Sequence, residues 1–301
     1  MIRVVAAPRF TVHHAAAAML LSATLWGLGT VMSKGALERV PPMALLVAQL
    51  LASVSFLWIA VVARGVPTGL FRPRTLALGW TGILEPGLAY ILGVIGLVRT
   101  SASSASLIAA LEPVIVLVLA ALFLHERPTR RTALLMGAAF VGVVLVSGAG
   151  DGAGHSLIGD ALYFFGVVSA ALYVIMSRKS VQTLDPLPLA ALQQSAGLLT
   201  VLVAFLIALA AGESGSLTSV PLEGWLLAAV SGVVQFALPF VLYLTALKTL
   251  TAARAAVFLT LTPVVGVVAS VLFLGELFTG IQIAGAALVI GALFGVNARS
   301  E

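Results

Sequence analysis

Two carboxylic acids stand where a chain this apolar would not carry charge without a purpose. Glu85, in ILEPGLAY, and Glu112, in LIAALEPVIVLVLAALFLHE, each precede a proline near the middle of a long apolar run. An ionised side chain at the centre of a membrane-crossing helix costs about 2.5–3.5 kcal/mol on insertion scales. No Lys or Arg lies at matching depth, since the nearest, Lys34, Arg99 and Arg254, fall near run ends. Each acid therefore faces a wet cavity or is carried neutral, and two acids on one cavity titrate as a pair. The chemistry on offer is to hold a substrate ammonium or to exchange a proton. The plainer alternative is a neutral acid bonded to a neighbouring helix as packing glue.

The composition dictates the elements that must position these acids. The chain has 301 residues, of which 61% are hydrophobic and 9% charged, against about 25% charged in soluble domains. A single water-soluble core cannot absorb that much apolar surface, so the chain reads as an all-α integral membrane protein. The net charge of +5 does not mark a nucleic-acid binder, because the basic residues sit at segment ends without interleaved aromatics. The absence of cysteine excludes disulfides, thiol catalysis and thiolate metal sites. The histidines, His13, His14, His125 and His155, have no metal-ligand spacing and read as surface residues. No phosphate-binding glycine loop is present, and neither a cofactor nor a metal is expected.

About 20 mostly apolar residues span the hydrocarbon, and ten runs meet that length: about 14–34, 43–63, 75–98, 101–124, 130–148, 157–178, 187–211, 223–247, 251–274 and 278–297. The first is read as a span, not a signal peptide, because it continues to about Leu37. With the N-terminus in the cytoplasm, thirteen Lys and Arg fall on the inside and three, Lys34, Arg39 and Arg99, on the outside. The positive-inside rule then places both termini in the cytoplasm.

The chain repeats itself. Residues 111–126 match residues 261–276 at eight of sixteen positions: Leu111, Pro113, Val114, Val118, Leu122, Phe123, Leu124 and Glu126 recur 150 residues later. Leu76, Gly82, Leu88 and Leu92 recur at the same spacing, and Ser22, Trp26, Met32 and Ser33 resemble Ser169, Tyr173, Met176 and Ser177. The division is into two five-helix repeats, 1–150 and 151–301. Five is odd, so the second enters the membrane upside down. Inverted repeats underlie alternating access, with the binding site at the midplane between the halves. The repeat equivalents of Glu112 and Glu85 are Thr262 and Gln235. Both depths are therefore polar in both halves, but acidic only in the first.

Pro86, Pro113, Pro239 and Pro263 fall within runs and are expected to bend helices, as hinges or as static kinks. Trp26, Tyr90, Tyr163, Tyr173 and Tyr243 are candidates to line the cavity, whereas Trp58, Trp80 and Trp225 fit interfacial belts better. Ser22, Ser169, Thr260 and Gln235 offer hydrogen bonds. Gly137–Gly142 and Gly291–Gly295 permit close helix approach, within the chain or in a dimer. Glu126 and Glu276, at run ends, are expected to hold loop geometry.

Ten spans in two halves, a proline in each fourth span and a following apolar run that ends in Glu resemble the drug/metabolite transporter superfamily, specifically its EamA-type members. LEPVIVLVLAALFLHE, LTPVVGVVASVLFLGE and ATLWGLGTV carry the likeness, which covers nearly the whole chain. The resemblance implies a secondary transporter, often an exporter of amino acids or other small metabolites; short loops and basic inside segments without an organellar address point to a bacterial cytoplasmic membrane. Its partners are then the lipid bilayer, a small-molecule substrate and protons. The competing readings are a proton-coupled exporter of toxic organic cations, favoured by an aromatic cavity around Glu112, and a non-transporting membrane sensor. An intramembrane enzyme would need paired catalytic groups at one surface, and none is seen.

Overall fold

A computed structural model describes residues 11–99, 105, 108–126, 128–147, 156–212, 215–274 and 280–297. Among them the chain is helical and has no strand. The helices are α1 (Val12–Leu37), α2 (Pro42–Ala63), α3 (Pro73–Leu97), α4 (Glu112–Phe123), α5 (Arg130–Ser147) and α6 (Leu157–Ser180). They continue as α7 (Pro186–Ala210), α8 (Leu222–Leu247), α9 (Ala252–Leu259), α10 (Leu261–Leu274) and α11 (Gly280–Asn297). Six of these, α1, α2, α3, α6, α7 and α8, are long and apolar enough to cross a membrane.

Local signals start the helices where the sequence changes character. Pro42, Pro73 and Pro186 open α2, α3 and α7 at a position whose N–H has no helical partner in any case. The hydroxyls of Thr11, Ser156 and Thr251 cap α1, α6 and α9, each accepting from an otherwise orphaned amide. The outer surface carries large apolar side chains such as Ile59, Leu134, Leu206 and Phe294. In lipid that exposure costs nothing.

Helices from the two sequence halves interleave, with α2 against α7, α5 against α11, and α1 against α8 and α10. The α5–α11 pair depends on small residues. A Cβ on Gly142 would stand 2.7 Å from the Gly285 carbonyl, and one on Gly295 would stand 2.7 Å from Leu135. Within-chain packing therefore uses one glycine of each run, while Gly137 and Gly291 face open space.

Two buried glutamines fasten the halves together. The Gln49 amide on α2 donates to Ser33 Oγ on α1 (2.7 Å) and to Ser231 Oγ on α8 (3.0 Å). The Gln193 amide on α7 donates to Ser177 Oγ on α6 (3.0 Å) and to Thr81 Oγ1 on α3 (2.7 Å). Beside each glutamine a glycine lets the crossing helix approach. A Cβ on Gly232 would lie 2.3 Å from the Gln49 carbonyl, and one on Gly82 only 1.7 Å from that of Gln193. Interhelical hydrogen bonds of this kind average about 0.6 kcal/mol in membranes. The backbone contact is the stiffer part of the joint, since main-chain atoms cannot step aside as side chains do.

Gly82→Ala is accordingly expected to lower the midpoint of thermal unfolding in detergent, with a loss of about 1–3 kcal/mol from overpacking. Gly291→Ala, which meets nothing, is expected to leave it unchanged. Equal melting curves for the two variants would contradict the crossing described.

Candidate functional site

The helices that carry the candidate residues are the irregular ones. Helix α3 passes from 3₁₀ geometry (Ala77–Ile83) through a wide π-turn (Leu84–Leu88) into regular helix (Ala89–Leu97). Helix α8 has the same kind of wide turn at Val233–Ala237. Glu85 lies in the first, with an extended backbone (φ −148°, ψ 125°), and Gln235 lies in the second. Pro86 sits inside its turn and Pro239 two residues beyond its own. Wide turns free carbonyls, and apolar surroundings require new partners for them. Ser169 Oγ on α6 donates to the Leu84 carbonyl (3.0 Å), and Ser22 Oγ on α1 donates to the Pro239 carbonyl (2.8 Å). The two serines matched in the repeat thus do matching work, each across to the other half's broken helix.

Glu112 and Thr262 also stand at breaks. Glu112 is the first residue of α4, and Thr262 the second of α10, which is separated from α9 by a turn at Thr260. Pro113 and Pro263 follow them, so these two prolines begin a helix instead of bending one in mid-course. First-turn N–H groups have no partner within the helix, which leaves polar main chain at the depth of the acids.

These breaks surround one cavity of about 500 Å³, within the usual range for small-ligand sites. Glu85, Glu112, Trp26, Tyr90, Gln235, Tyr243 and Thr262 all line it, as do Pro113 and Pro263. The two acids are half-buried and near enough to feel one another's charge. Tyr163 and Thr260 complete the polar wall. Trp26 packs edge-on to Tyr243 (5.5 Å) and to Phe240 (5.2 Å), and Tyr90 packs against Phe236 (4.8 Å). No Lys, Arg or His is among the described lining residues.

Tyr173 does not line the cavity. It is fully buried, and its hydroxyl donates to Gln193 Oε1 (3.0 Å) within the second glutamine joint. Pro86 and Pro239 also lie behind the wall. Trp58 turns inward, donating its Nε1–H to Ser195 Oγ (3.0 Å), whereas Trp80 is exposed. Thr30, Val143 and Gly166 line the cavity without having stood out in the sequence, because small or apolar residues carry no chemical signature.

The cavity reaches toward one end of the bundle, where Leu97 of α3 and Tyr163 of α6 lie. At the other end helices from the two halves are tied together. Glu126, beyond the end of α4, accepts from the first two amides of α9, Ala252 N–H (3.2 Å) and Ala253 N–H (3.1 Å). The guanidinium of Arg178 stands 3.9 Å from the same carboxylate. A carboxylate at a helix N-terminus satisfies orphan donors and is stabilised by the helix dipole, together worth about 0.5–2 kcal/mol. It joins the two halves at that end, where Ala252, Ala255, Ala256 and Val257 are fully buried. Glu276 lies outside the described residues.

The EamA-like transporter family model matches residues 14–148 and 157–298. The chain belongs to that family. It is 26% identical over 277 residues to an uncharacterised transporter of Archaeoglobus fulgidus, covering 92% of this chain and 96% of that protein. It is 29% identical to an uncharacterised transporter of Bacillus subtilis, covering 92% and 89%. It is 27% identical to a probable amino-acid metabolite efflux pump of Salmonella typhimurium, covering 91% and 92%. A crystal structure at 18% identity superimposes with a TM-score of 0.80 over 94% of this chain and 96% of its own, showing a shared fold. EamA-like proteins are transporters, not enzymes, and the aromatic cavity here belongs to a membrane protein of that class.

Because this EamA-like chain has no cysteine, single-cysteine variants read access without background. Val94→Cys and Tyr163→Cys, in the cavity wall, are expected to react with a membrane-impermeant maleimide, while Val257→Cys stays protected. Glu126→Ala is expected to raise labelling of Val257→Cys by loosening the tied end. Unchanged labelling would mean that Glu126 is not what holds that end.

Proposed function

We propose that the chain is a secondary-active carrier that exports small amine-bearing metabolites, such as amino acids or related amines, by alternating access. One observation carries this reading: Glu85 and Glu112 share an aromatic-walled cavity with no basic residue among its described lining. A pair of carboxylates can hold a substrate ammonium or a proton in turn, which couples the two without a nucleotide. The name of the Salmonella relative, a probable amino-acid metabolite efflux pump, agrees with the direction and the substrate class.

In this proposal the helices form ten spans in two inverted halves, 1–150 and 151–301, with both termini in the cytoplasm of a prokaryotic cell. The cavity then opens outward, since the C-terminal end of α3 and the N-terminal end of α6 lie on that side. Glu126 latches the cytoplasmic end. The glutamine joints serve as fixed crossings about which the halves rock, and the broken helices α3, α4, α8 and α9–α10 bend.

A second reading, the export of toxic organic cations, draws on Trp26, Tyr90, Tyr163 and Tyr243 in the wall, since aromatic faces attract cations. It uses the same acids and differs in what else the ligand must carry.

Glu112→Gln is expected to lower the rate of amine transport in proteoliposomes about ten-fold or more, as loss of a charged hydrogen-bond partner does. Dependence on an imposed pH gradient should weaken with it, while the protein stays folded and inserted. Transport and pH dependence indistinguishable from the unaltered protein would remove the proposed role of Glu112.

A further inference from the structure

Two walls of the cavity are built alike and filled unequally. Helix α1 packs on α8, and their repeat counterparts α6 and α3 pack on one another. The 144-residue spacing that relates Ser33 to Ser177 pairs Trp26 with Ala170 and Thr30 with Val174, and all four line the cavity. The 150-residue spacing that relates Glu85 to Gln235 pairs Gly93 with Tyr243, and both of these line it as well. One wall therefore carries an indole and a phenol ring, packed together at 5.5 Å. The other carries a methyl group and a hydrogen at the two corresponding places.

Gly93 is not spent on helix contact. A Cβ on Gly96 would stand 2.8 Å from the Gly159 carbonyl, and one on Gly166 would stand 2.9 Å from the Ala89 carbonyl, so those two glycines let α3 and α6 approach. A Cβ on Gly93 meets no described atom within 4 Å. Ala89, Gly93 and Leu97 are one turn apart and share a face of α3, and all three line the cavity. Glycine inside a helix is destabilising relative to alanine, so neither packing nor helix propensity accounts for it here. We propose that a bulky apolar side chain of the substrate lies against Gly93 and Ala170, in the place that corresponds to the Trp26–Tyr243 pair, and that Gly93 sets the largest side chain the carrier accepts. Val94, Leu97 and Val174 supply the apolar surroundings such a group needs. This deepens the amine-export reading above and rests on it. Glu85 and Glu112 take the ammonium that all such metabolites share, and this wall takes the part in which they differ.

Purified protein in proteoliposomes is offered alanine, leucine and phenylalanine, and the amines ethylamine and phenethylamine. Uptake is counted above the leak into protein-free vesicles. Phenylalanine is expected to half-saturate transport at a concentration about ten-fold or more below alanine, with leucine between, because the larger side chain removes more apolar area from water. Phenethylamine and ethylamine are expected to differ in the same direction. Gly93→Leu fills the place, and is expected to bring the alanine-to-phenylalanine ratio down to about one or to invert it, with Gly93→Ala in between. Should Gly93→Leu carry nothing, the ratio in Gly93→Ala decides. If the unaltered protein shows no preference by size, or if the ratio is the same in the variants as in the unaltered protein, the side chain does not lie there. The proposal is then overturned, and the amine-export reading stands without it. If the unaltered protein carries none of the probes above the leak, that reading falls and this inference falls with it.

Discussion

Hydrocarbon offers a polar group nothing to bond to. Every N–H, carbonyl, amide and carboxyl that this chain takes into its apolar interior must therefore find a protein partner or line a cavity. Helices settle the main chain at once, and the exceptions lie where the helices break. The wide turns at Leu84–Leu88 and Val233–Ala237 free carbonyls, and serines from α6 and α1 reach across to take them. A break at this depth is affordable only with such a partner in place, so the position of Ser22 and Ser169 fixes where α3 and α8 can bend.

The same constraint explains why the halves meet through glutamines and glycines. Gln49 and Gln193 each have an amide that can bridge two helices, and each stands where a glycine allows main chain to approach main chain. A contact between backbones resists sliding more than one between flexible side chains. Regions of ordinary apolar packing have no such restriction. The molecule thus combines two stiff crossings with irregular helices around the cavity.

Much of this was legible in the sequence, because the bilayer imposes length and polarity so strictly. Six of the ten apolar runs coincide with helices long enough to cross a membrane, while the run at 251–274 is split into two helices; the 150-residue spacing paired Glu85 with Gln235 and Glu112 with Thr262, and all four line one cavity. Tyr173 was harder to place. Its match to Trp26 suggested the cavity, but the ring lies one layer behind, in the Gln193 joint. Nothing in the residue type separates a tyrosine that lines a cavity from one that is buried beside it. The glutamine joints escaped notice although a signal existed: 144 residues separate Ser33 from Ser177, and the same spacing separates Gln49 from Gln193. The 150-residue spacing that governs the later helices hid it. The breaks before Pro113 and Pro263 were foreseen as bends, since a proline marks an interruption without saying whether the helix restarts.

The restriction of acids to the first half goes with a difference between the two joints. In one joint Gln235 is drawn in, its side-chain oxygen accepting from Ser33 Oγ, beside Gln49 and Ser231. In the other joint the Tyr173 hydroxyl donates to Gln193 itself, and Glu85 lines the cavity. Gln235 both lines the cavity and joins helices, and an acid at its place would put a charge into a neutral hydrogen-bond network. Pseudo-symmetry thus keeps polar groups at matching repeat positions, while the bonds around them differ between the copies.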